Sequence, residues 1–377
     1  MSETSFKEIE SKVEAGLRLD ESEALFLFES NDLNRLGNLA NRVNERRNGN
    51  RATYLVNRYI NYSNYCILSC QFCAFSRKKR DADGFELKQE EMIQKAKDAL
   101  ALGITELHIV GGLHPSLPID YYTGFLQALR AVDKRLKLKC FTAIEILHLS
   151  WLAKKSVDET LRLLKESGLD SLTGGGAEIF HPEVRKVIAL GKESAEEYLD
   201  VHRRWHALGG KSTCTMLFGH VESVAQRVDH LKRLRHLQDE TGGFTGFVPL
   251  PYQPENNCIP VSRPPTGLDS LKTLAVSRLY LDNFDHITAY WVGMGLGLAQ
   301  VGLSYGADDL HGTIVEEKIF QMAGAASGKG RPEAELVKAI REAGRDPVQR
   351  DTFYQSLADS GFKKEALPEL VADSRNC

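Results

Sequence analysis

The sequence contains no apolar run near the ~20 residues that a membrane-spanning helix needs. Its opening residues, Ser2-Glu3-Thr4-Ser5-Phe6-Lys7-Glu8, lack the basic-then-apolar order of a secretory leader. These absences predict no membrane partner and a cytoplasmic location, where thiols stay reduced. Charge of one sign is lacking too. A net charge of -3 over 377 residues offers no footprint for nucleic acid, and no nucleic-acid partner is expected. The one basic run, Arg77-Lys78-Lys79-Arg80, is short, is followed by Asp81, Asp83 and Gly84, and reads as a solvated loop. A disulfide framework is excluded by cysteine usage. The seven cysteines are odd in number, and Cys140, Cys214, Cys258 and Cys377 each stand alone, so one dedicated cluster remains. Internal repeats and low-complexity linkers are missing as well. What is left, 42% apolar and 26% charged, is an ordinary globular composition with enough chain for one large core.

The apolar pattern alternates between two periods. Residues 1–50 read as a helical extension, with Ile9, Val13 and Leu17, then Leu33, Leu36, Leu39, Ala40 and Val43 at helical spacing, closed by the turn residues Asn48-Gly49-Asn50. Short β-type runs then occur at 57–63, 105–110, 137–143, 170–173, 212–217, 245–250, 286–291 and 305–308. Amphipathic stretches separate or follow them at 88–101, 119–132, 157–167, 194–208, 222–240, 267–283, 294–304 and 314–323. Eight strand–helix units predict an α/β fold, a (β/α)8 TIM-type barrel over residues 51–325. The brevity of the fourth and eighth strands leaves a partly open barrel as the alternative. Residues 326–377 read as a C-terminal helical tail, with Leu336, Ile340 and Ala343 on one face and a polar end.

Cys66-x3-Cys70-x2-Cys73 follows directly on the first expected strand. Three thiolates this close can converge on one face of an iron–sulfur cube, for which cysteine is the selected ligand. Three protein sulfurs leave one iron open to chelate a small molecule through an amine and a carboxylate. A structural zinc site needs four protein ligands, and no histidine or further cysteine lies near in sequence. Buried thiols used as small apolar residues do not suit a loop bounded by Asn64 and Gln71.

Other candidates sit where barrel enzymes keep their chemistry, at the C-terminal ends of strands. Gly111 and Gly112, before Leu113 and His114, form either a simple turn or an edge where backbone approaches a ligand closely. Thr142, Glu145 and His148 follow the third strand. Gly174-Gly175-Gly176 leads into Glu178, which faces either ribose hydroxyls or solvent. His220 ends the fifth strand, and Tyr290 and Trp291 the seventh. Asp308 and Asp309 either serve ligand hydroxyls at the barrel mouth or solvate a loop, with Thr313 as a cap for the helix after them. Arg278 lies mid-helix, where a surface salt bridge competes with a role as a substrate cation.

With Phe72 as the aromatic position, Cys-x3-Cys-x-Phe-Cys resembles the fingerprint of the radical S-adenosylmethionine (SAM) superfamily. That resemblance implies a [4Fe–4S] cluster on Cys66, Cys70 and Cys73, with Phe72 beside the adenine of SAM and Gly111 and Gly112 at its methionine amino group. It further implies that Thr142, Glu145 and Glu178 contact SAM, which is cleaved to methionine and a 5′-deoxyadenosyl radical. Gly174-Gly-Gly-Ala-Glu-Ile-Phe180, His230-Leu-Lys-Arg-Leu-Arg-His-Leu-Gln-Asp-Glu-Thr-Gly-Gly243, Leu281-Asp-Asn-Phe284, Gly306-Ala-Asp-Asp309 and Glu316-Glu-Lys318 look like the aminofutalosine synthase family of the futalosine route to menaquinone. This likeness runs from about residue 50 to 355.

The family likeness implies SAM as co-substrate, an enol-ether benzoate, 3-[(1-carboxyvinyl)oxy]benzoate, as acceptor, and a reducing donor such as flavodoxin or ferredoxin. On it, His220 and Arg278 become catalytic candidates, and His114, Tyr290, Asp308 and Asp309 substrate contacts. The sister family that cyclises dehypoxanthine futalosine shares the cluster and glycine motifs. Pro249-Leu-Pro-Tyr-Gln-Pro-Glu255-Asn256 and Ala307-Asp308-Asp309 look like the synthase, whereas Gln253 is sister-like, Thr173 replaces a proline usual in both, and His311 replaces an acid usual in the synthase. A non-catalytic iron–sulfur carrier is the alternative of another class, and it would ordinarily supply a fourth cysteine.

Overall fold

The computed structural model describes residues 5–328 and 330–358; Cys377 and the polar end expected for the tail lie outside the described residues. The strands are β1 (Arg51–Leu55), β2 (Asn57–Ile60), β3 (Glu106–Ile109), β4 (Lys137–Cys140), β5 (Ser171–Leu172), β6 (Lys211–Phe218), β7 (Phe244–Pro251), β8 (Asp309–Gly312) and β9 (Asp346–Gln349). β2 to β7 form a continuous parallel sheet in sequence order, and β1, which runs on into β2, lies between β8 and β9.

Helices connect the parallel strands, and several start on side chains that cap their free amides. Ser156 with Glu159, Ser194 with Glu197, Ser223 with Gln226 and Thr266 with Asp269 form reciprocal boxes at the helices beginning at Val157, Ala195, Val224 and Gly267. Helix Ile119–Val132 lies where the apolar spacing predicts it. The N-terminal residues form helices Phe6–Glu14, Glu21–Glu29 and Leu33–Asn48, and the last packs outside the barrel against Gly267–Tyr280. Gly37 is required there: a Cβ would stand 2.5 Å from the Tyr305 ring. No helix among the described residues is long and apolar enough to cross a membrane.

The two walls of the barrel differ. β2 to β7 pair in one unbroken order, thinnest at the two-residue β5, while the opposite wall is stitched by isolated parallel bridges, Phe247 to Ile287, Thr288 to Asp309 and Arg58 to Val315. The expected seventh strand is thus reduced to a short stave, and the fold is a partly open TIM-type barrel. Three expectations are corrected. The eighth strand is Asp309–Gly312 rather than 305–308, because Gly306 turns the chain at φ +91°. The helix expected at 314–323 shrinks to Ile319–Met322. The tail is not purely helical: after Glu333–Glu342, β9 adds a strand beside β1.

Arg278 and the acidic pair also differ from expectation. All three are buried in the wall behind the mouth. Arg278 Nε donates to Gly306 O (2.7 Å), Nη1 to Asp285 O (3.0 Å) and Nη2 to Asp308 Oδ1 (2.6 Å). The Asp309 carboxylate accepts from five groups: Arg350 Nε (2.6 Å) and Nη2 (3.0 Å), Thr53 Oγ1 (2.7 Å), Thr288 Oγ1 (2.9 Å) and the His311 amide (2.8 Å). One carboxylate therefore ties β1, β8, the thin stave and the segment after β9.

Burial works against ionisation of Asp309, but Arg350 more than offsets it, so the carboxyl titrates below its ordinary range. A depressed folded-state pKa contributes stability that is fully present above the unfolded value of ~3.9 and is lost as pH falls through the lower folded value. Asp309→Asn leaves Arg350 buried without its counter-charge. In urea unfolding at neutral pH it is expected to cost about 3–5 kcal/mol. The deficit should begin to shrink as pH falls below about 4, where the unfolded-state carboxyl takes up its proton, and vanish only below the lower folded-state value. Unchanged stability at pH 7 would remove Asp309 as the closing group.

Candidate active site

The cysteine loop between β2 and helix Gln89–Leu100 is built on its own backbone acceptors. Asn64 Oδ1 accepts from Phe85 N (2.7 Å) and its Nδ2 donates to Asp83 O (3.1 Å), clamping the two ends of the loop. Lys78 Nζ donates to Cys66 O (2.9 Å), Ile67 O (3.2 Å) and Leu68 O (2.7 Å), gathering three successive carbonyls. Arg77 pairs with Asp83. Arg77 and Lys78 therefore brace the cysteine loop, while Lys79 and Arg80 are solvent-exposed as expected.

Cys66, Cys70 and Cys73 are free, half-buried thiols lining one cavity at the C-terminal mouth of the barrel. Burial pushes the Cys70 thiol up to about 12 and raises Cys73 as well, so as free thiols both stay protonated. Such groups are poor nucleophiles, whereas a metal that displaces the protons can hold them as thiolates. Among the described residues no three His, Cys, Asp or Glu side chains are set to hold a single metal ion. A cube spreads its irons over separate corners, and three soft sulfurs around one cavity fit it.

Gly111 and Gly112 form the neighbouring edge. A Cβ on Gly112 would stand 2.3 Å from Tyr65 O and 3.1 Å from Cys66 Cβ, so only glycine lets this edge lie against the cysteine loop. Glu145 holds the edge in place. It accepts from Gly111 N (3.1 Å) and Tyr62 Oη (2.7 Å) through Oε1, and from Thr142 N and Oγ1 (both 2.7 Å) through Oε2. Burial nonetheless raises its pKa. Across the cavity the glycine loop sets Glu178 at φ +45°, with Lys192 Nζ 2.5 Å from its Oε1 and 5.3 Å from the Phe72 ring centroid. Beneath that loop both Glu193 oxygens lack hydrogen bonds, and burial pushes its carboxyl up to about 7.

Of the residues singled out by sequence, the cavity wall brings together Cys66, Cys70, Phe72, Cys73, Gly111, Gly112, Thr142, Glu145, Glu178 and Tyr290. Five others lie elsewhere. His114 is tied to Glu86 Oε2 (2.7 Å) and accepts from Leu117 N (3.0 Å). His220 Nε2 is 3.0 Å from Leu217 O, beside Glu222. Arg278, Asp308 and Asp309 are spent in the wall. His220 and Arg278, expected as catalytic, and His114, Asp308 and Asp309, expected as substrate contacts, are thus engaged by other protein groups and do not line this cavity. Trp291 also turns away, donating to Gly312 O (2.8 Å).

Sequence reasoning missed Lys192 and four residues of the barrel interior: Tyr59, His108, Lys139 and, as a lining group, His311. Polar side chains within fully buried parallel strands were the available signal, because such strands otherwise read as apolar runs.

The radical SAM superfamily model matches residues 60–234, and the CofH/MqnC C-terminal region model matches residues 241–361. The aminodeoxyfutalosine synthase of Thermus thermophilus is 42% identical over 353 residues, covering 93% of this chain and 95% of that protein. The cyclic dehypoxanthine futalosine synthase of Streptomyces coelicolor is 38% identical over 91% of this chain and 86% of its own. The 5-amino-6-(D-ribitylamino)uracil–L-tyrosine 4-hydroxyphenyl transferase of Methanopyrus kandleri is 41% identical over 82% of this chain and 85% of its own. Methylornithine synthase (PylB) superposes with a TM-score of 0.74 at 19% identity, over 94% of this chain and 99% of that one, a likeness of fold.

Gly112→Ala tests the packing of the cysteine loop on its glycine edge. The added Cβ must displace the Tyr65 carbonyl or the Cys66 side chain. Anaerobic reconstitution should then yield clearly less bound iron and sulfide per chain than wild type, and equal loading would show that the close approach is not needed.

Proposed function

The chain belongs to the radical SAM superfamily, in the group that carries the CofH/MqnC C-terminal region, and we propose from that premise how its cavity works. The reaction is that of the aminodeoxyfutalosine synthases: SAM, 3-[(1-carboxyvinyl)oxy]benzoate and water give 6-amino-6-deoxyfutalosine, bicarbonate and methionine. Relatives with that activity match at 42% and 43% identity over 93% and 94% of the chain. The observation that carries the proposal is one continuous cavity, lined at its mouth by three thiols and a glycine edge and deeper by strand side chains.

A reduced [4Fe–4S] cluster, when bound, supplies the electron that splits SAM into methionine and a 5′-deoxyadenosyl radical. Cys66, Cys70 and Cys73 would hold that cluster. Lys78 keeps their loop curved, and Glu145 keeps the Gly111–Gly112 edge and Thr142 at the position of the methionine end of SAM. Phe72 flanks the adenine, and Glu178, oriented by Lys192, faces the ribose. Tyr290 flanks the aromatic ring of the acceptor. Leu217, Val248 and Leu250 on the same wall exclude water from a step in which the adenosyl C5′ would bond to the vinyl CH2 carbon as the vinyl π bond opens, leaving the unpaired electron on the adjacent carbon that bears the ether oxygen and carboxylate. Addition to an alkene needs no nucleophile–base pair. The reducing partner is a flavodoxin or ferredoxin, and the compartment is the cytoplasm.

The test is product mass. Reconstituted anaerobic protein with reductant, SAM and the enol-ether benzoate should form aminodeoxyfutalosine. Turnover of dehypoxanthine futalosine instead would favour the cyclase, and absence of SAM cleavage would reject both. Cys70→Ala should abolish the visible absorbance of the reconstituted cluster; full retention would refute its role as a ligand.

A further inference from the structure

The deep end of the cavity is not apolar. Lys139 on β4, His108 on β3 and His311 on β8 line it, with Tyr59 on β2 and Tyr290 beside them. Lys139 is only 4% exposed, yet among the described residues its ammonium has no hydrogen bond and no ion pair. The carboxylates around it are committed elsewhere. Glu106 accepts from Asn57 Nδ2 (3.2 Å) and Thr352 Oγ1 (2.9 Å), and Asp309 from Arg350. Both imidazoles carry a buried Nδ1 without a partner, and burial holds them neutral, His311 at about 3. His108 is stacked on Tyr59 with centroids 4.2 Å apart, and the Tyr59 hydroxyl lies 3.5 Å from His311 Nε2. The floor is thus an ammonium without a direct ion pair among neutral aromatic groups, with Glu106 and Asp309 the nearest opposing charges and burial still holding the lysine below its ordinary range.

An uncompensated buried ammonium destabilises a fold, and an apolar side chain of similar length would pack there at lower cost. A ligand that brings its own negative charge removes the penalty. We propose that Lys139 is the anchor for an aryl carboxylate, the ring carboxylate of the acceptor, and so sets the specificity of the cavity for a benzoate. This rests on the reading of the acceptor given above.

Depth decides which of the two acceptor carboxylates reaches Lys139. Lys139 lies within β4, whereas Thr142, beside the glycine edge, follows the C-terminal end of that strand, so Lys139 is the deeper of the two. The vinyl CH2 must meet the adenosyl C5′ near the mouth. The enol carboxylate sits on the adjacent carbon and remains there with it. The ring carboxylate, meta to the ether oxygen, is the charged group directed inward.

The experiment uses the reconstituted holoenzyme with SAM and no reductant, and measures equilibrium binding of 3-ethoxybenzoate and 3-ethoxybenzamide. Wild type should prefer the carboxylate by roughly 10–100-fold, the range of a charge-assisted contact. Lys139→Met should abolish that preference without weakening the amide, and Lys139→Arg should keep part of it. Lys139→Met should also raise the melting temperature of the ligand-free chain, whereas a purely structural lysine would lower it. Lys139→Gln serves the binding arm if the methionine variant fails to fold. The proposal is overturned if wild type binds neither probe, does not discriminate between them, or discriminates equally after Lys139 is replaced. Supplying the acceptor as each of its two monoamides separates the carboxylates: the ring amide should lose affinity in wild type only, and the enol amide equally in both proteins. Lys139-dependent discrimination with no aminodeoxyfutalosine formed would leave the anchor standing and reject the assigned reaction instead.

Discussion

Asp309 joins the segments that close the barrel. Around it the continuous sheet β2–β7 has run out, and the barrel must close across a stave that pairs through single bridges. Backbone ladders cannot do this alone. A carboxylate that accepts from two strands, the stave and the residue after β9 substitutes for the missing ladder. Its partner Arg350 stacks over Tyr354, which in turn packs on His286, and His286 meets Asp308. The thin wall is thus a network of buried ions and rings, and the positions of Tyr290 and His311 in the cavity depend on it.

The mouth follows the same economy. Lys78, Glu145 and Arg77 fix the backbone of the cysteine loop and its glycine edge. Glu145 alone sets the Gly111 amide, the Thr142 side chain and the Tyr62 hydroxyl. Such positioning leaves glycine edges and thiols as the surfaces offered to a cluster and a nucleoside. Backbone strain gathers in the same region. Phe141, Glu178 and His311, all at or after strand ends, hold positive φ at a cost on the order of 1–3 kcal/mol each. The unpaired Lys139 adds to that cost, and both fit a cavity shaped for ligands rather than for stability.

Where the sequence misleads, the reason is consistent. His220, Arg278, Asp308 and Asp309 occupy positions that suit chemistry by their place along the chain, near strand ends or with charges close at hand. Whether a side chain at such a place turns to the cavity or to the surrounding helices depends on local backbone rotation and on partners far away in sequence. Arg278 meets Asp308 across 30 residues, and Asp309 meets Arg350 across 41. Neither pairing leaves a local trace. His108 and Lys139 were legible in principle, as polar residues within buried strands, but their convergence depends on the barrel curving.

By itself the sequence determined the alternation of strands and helices, the class of the fold and the cluster fingerprint. Each of these rests on spacing within a few residues: hydrophobic period, capping pairs, and three cysteines in one loop. Only the tertiary structure decided which strand ends face the cavity, that a ninth strand joins the sheet, and that the acidic pair closes the wall instead of receiving substrate. Those outcomes depend on contacts between segments far apart in the chain, made when the barrel closes and buried charges must find partners. Lys139 is where that demand is left unmet, and only the closed barrel reveals it.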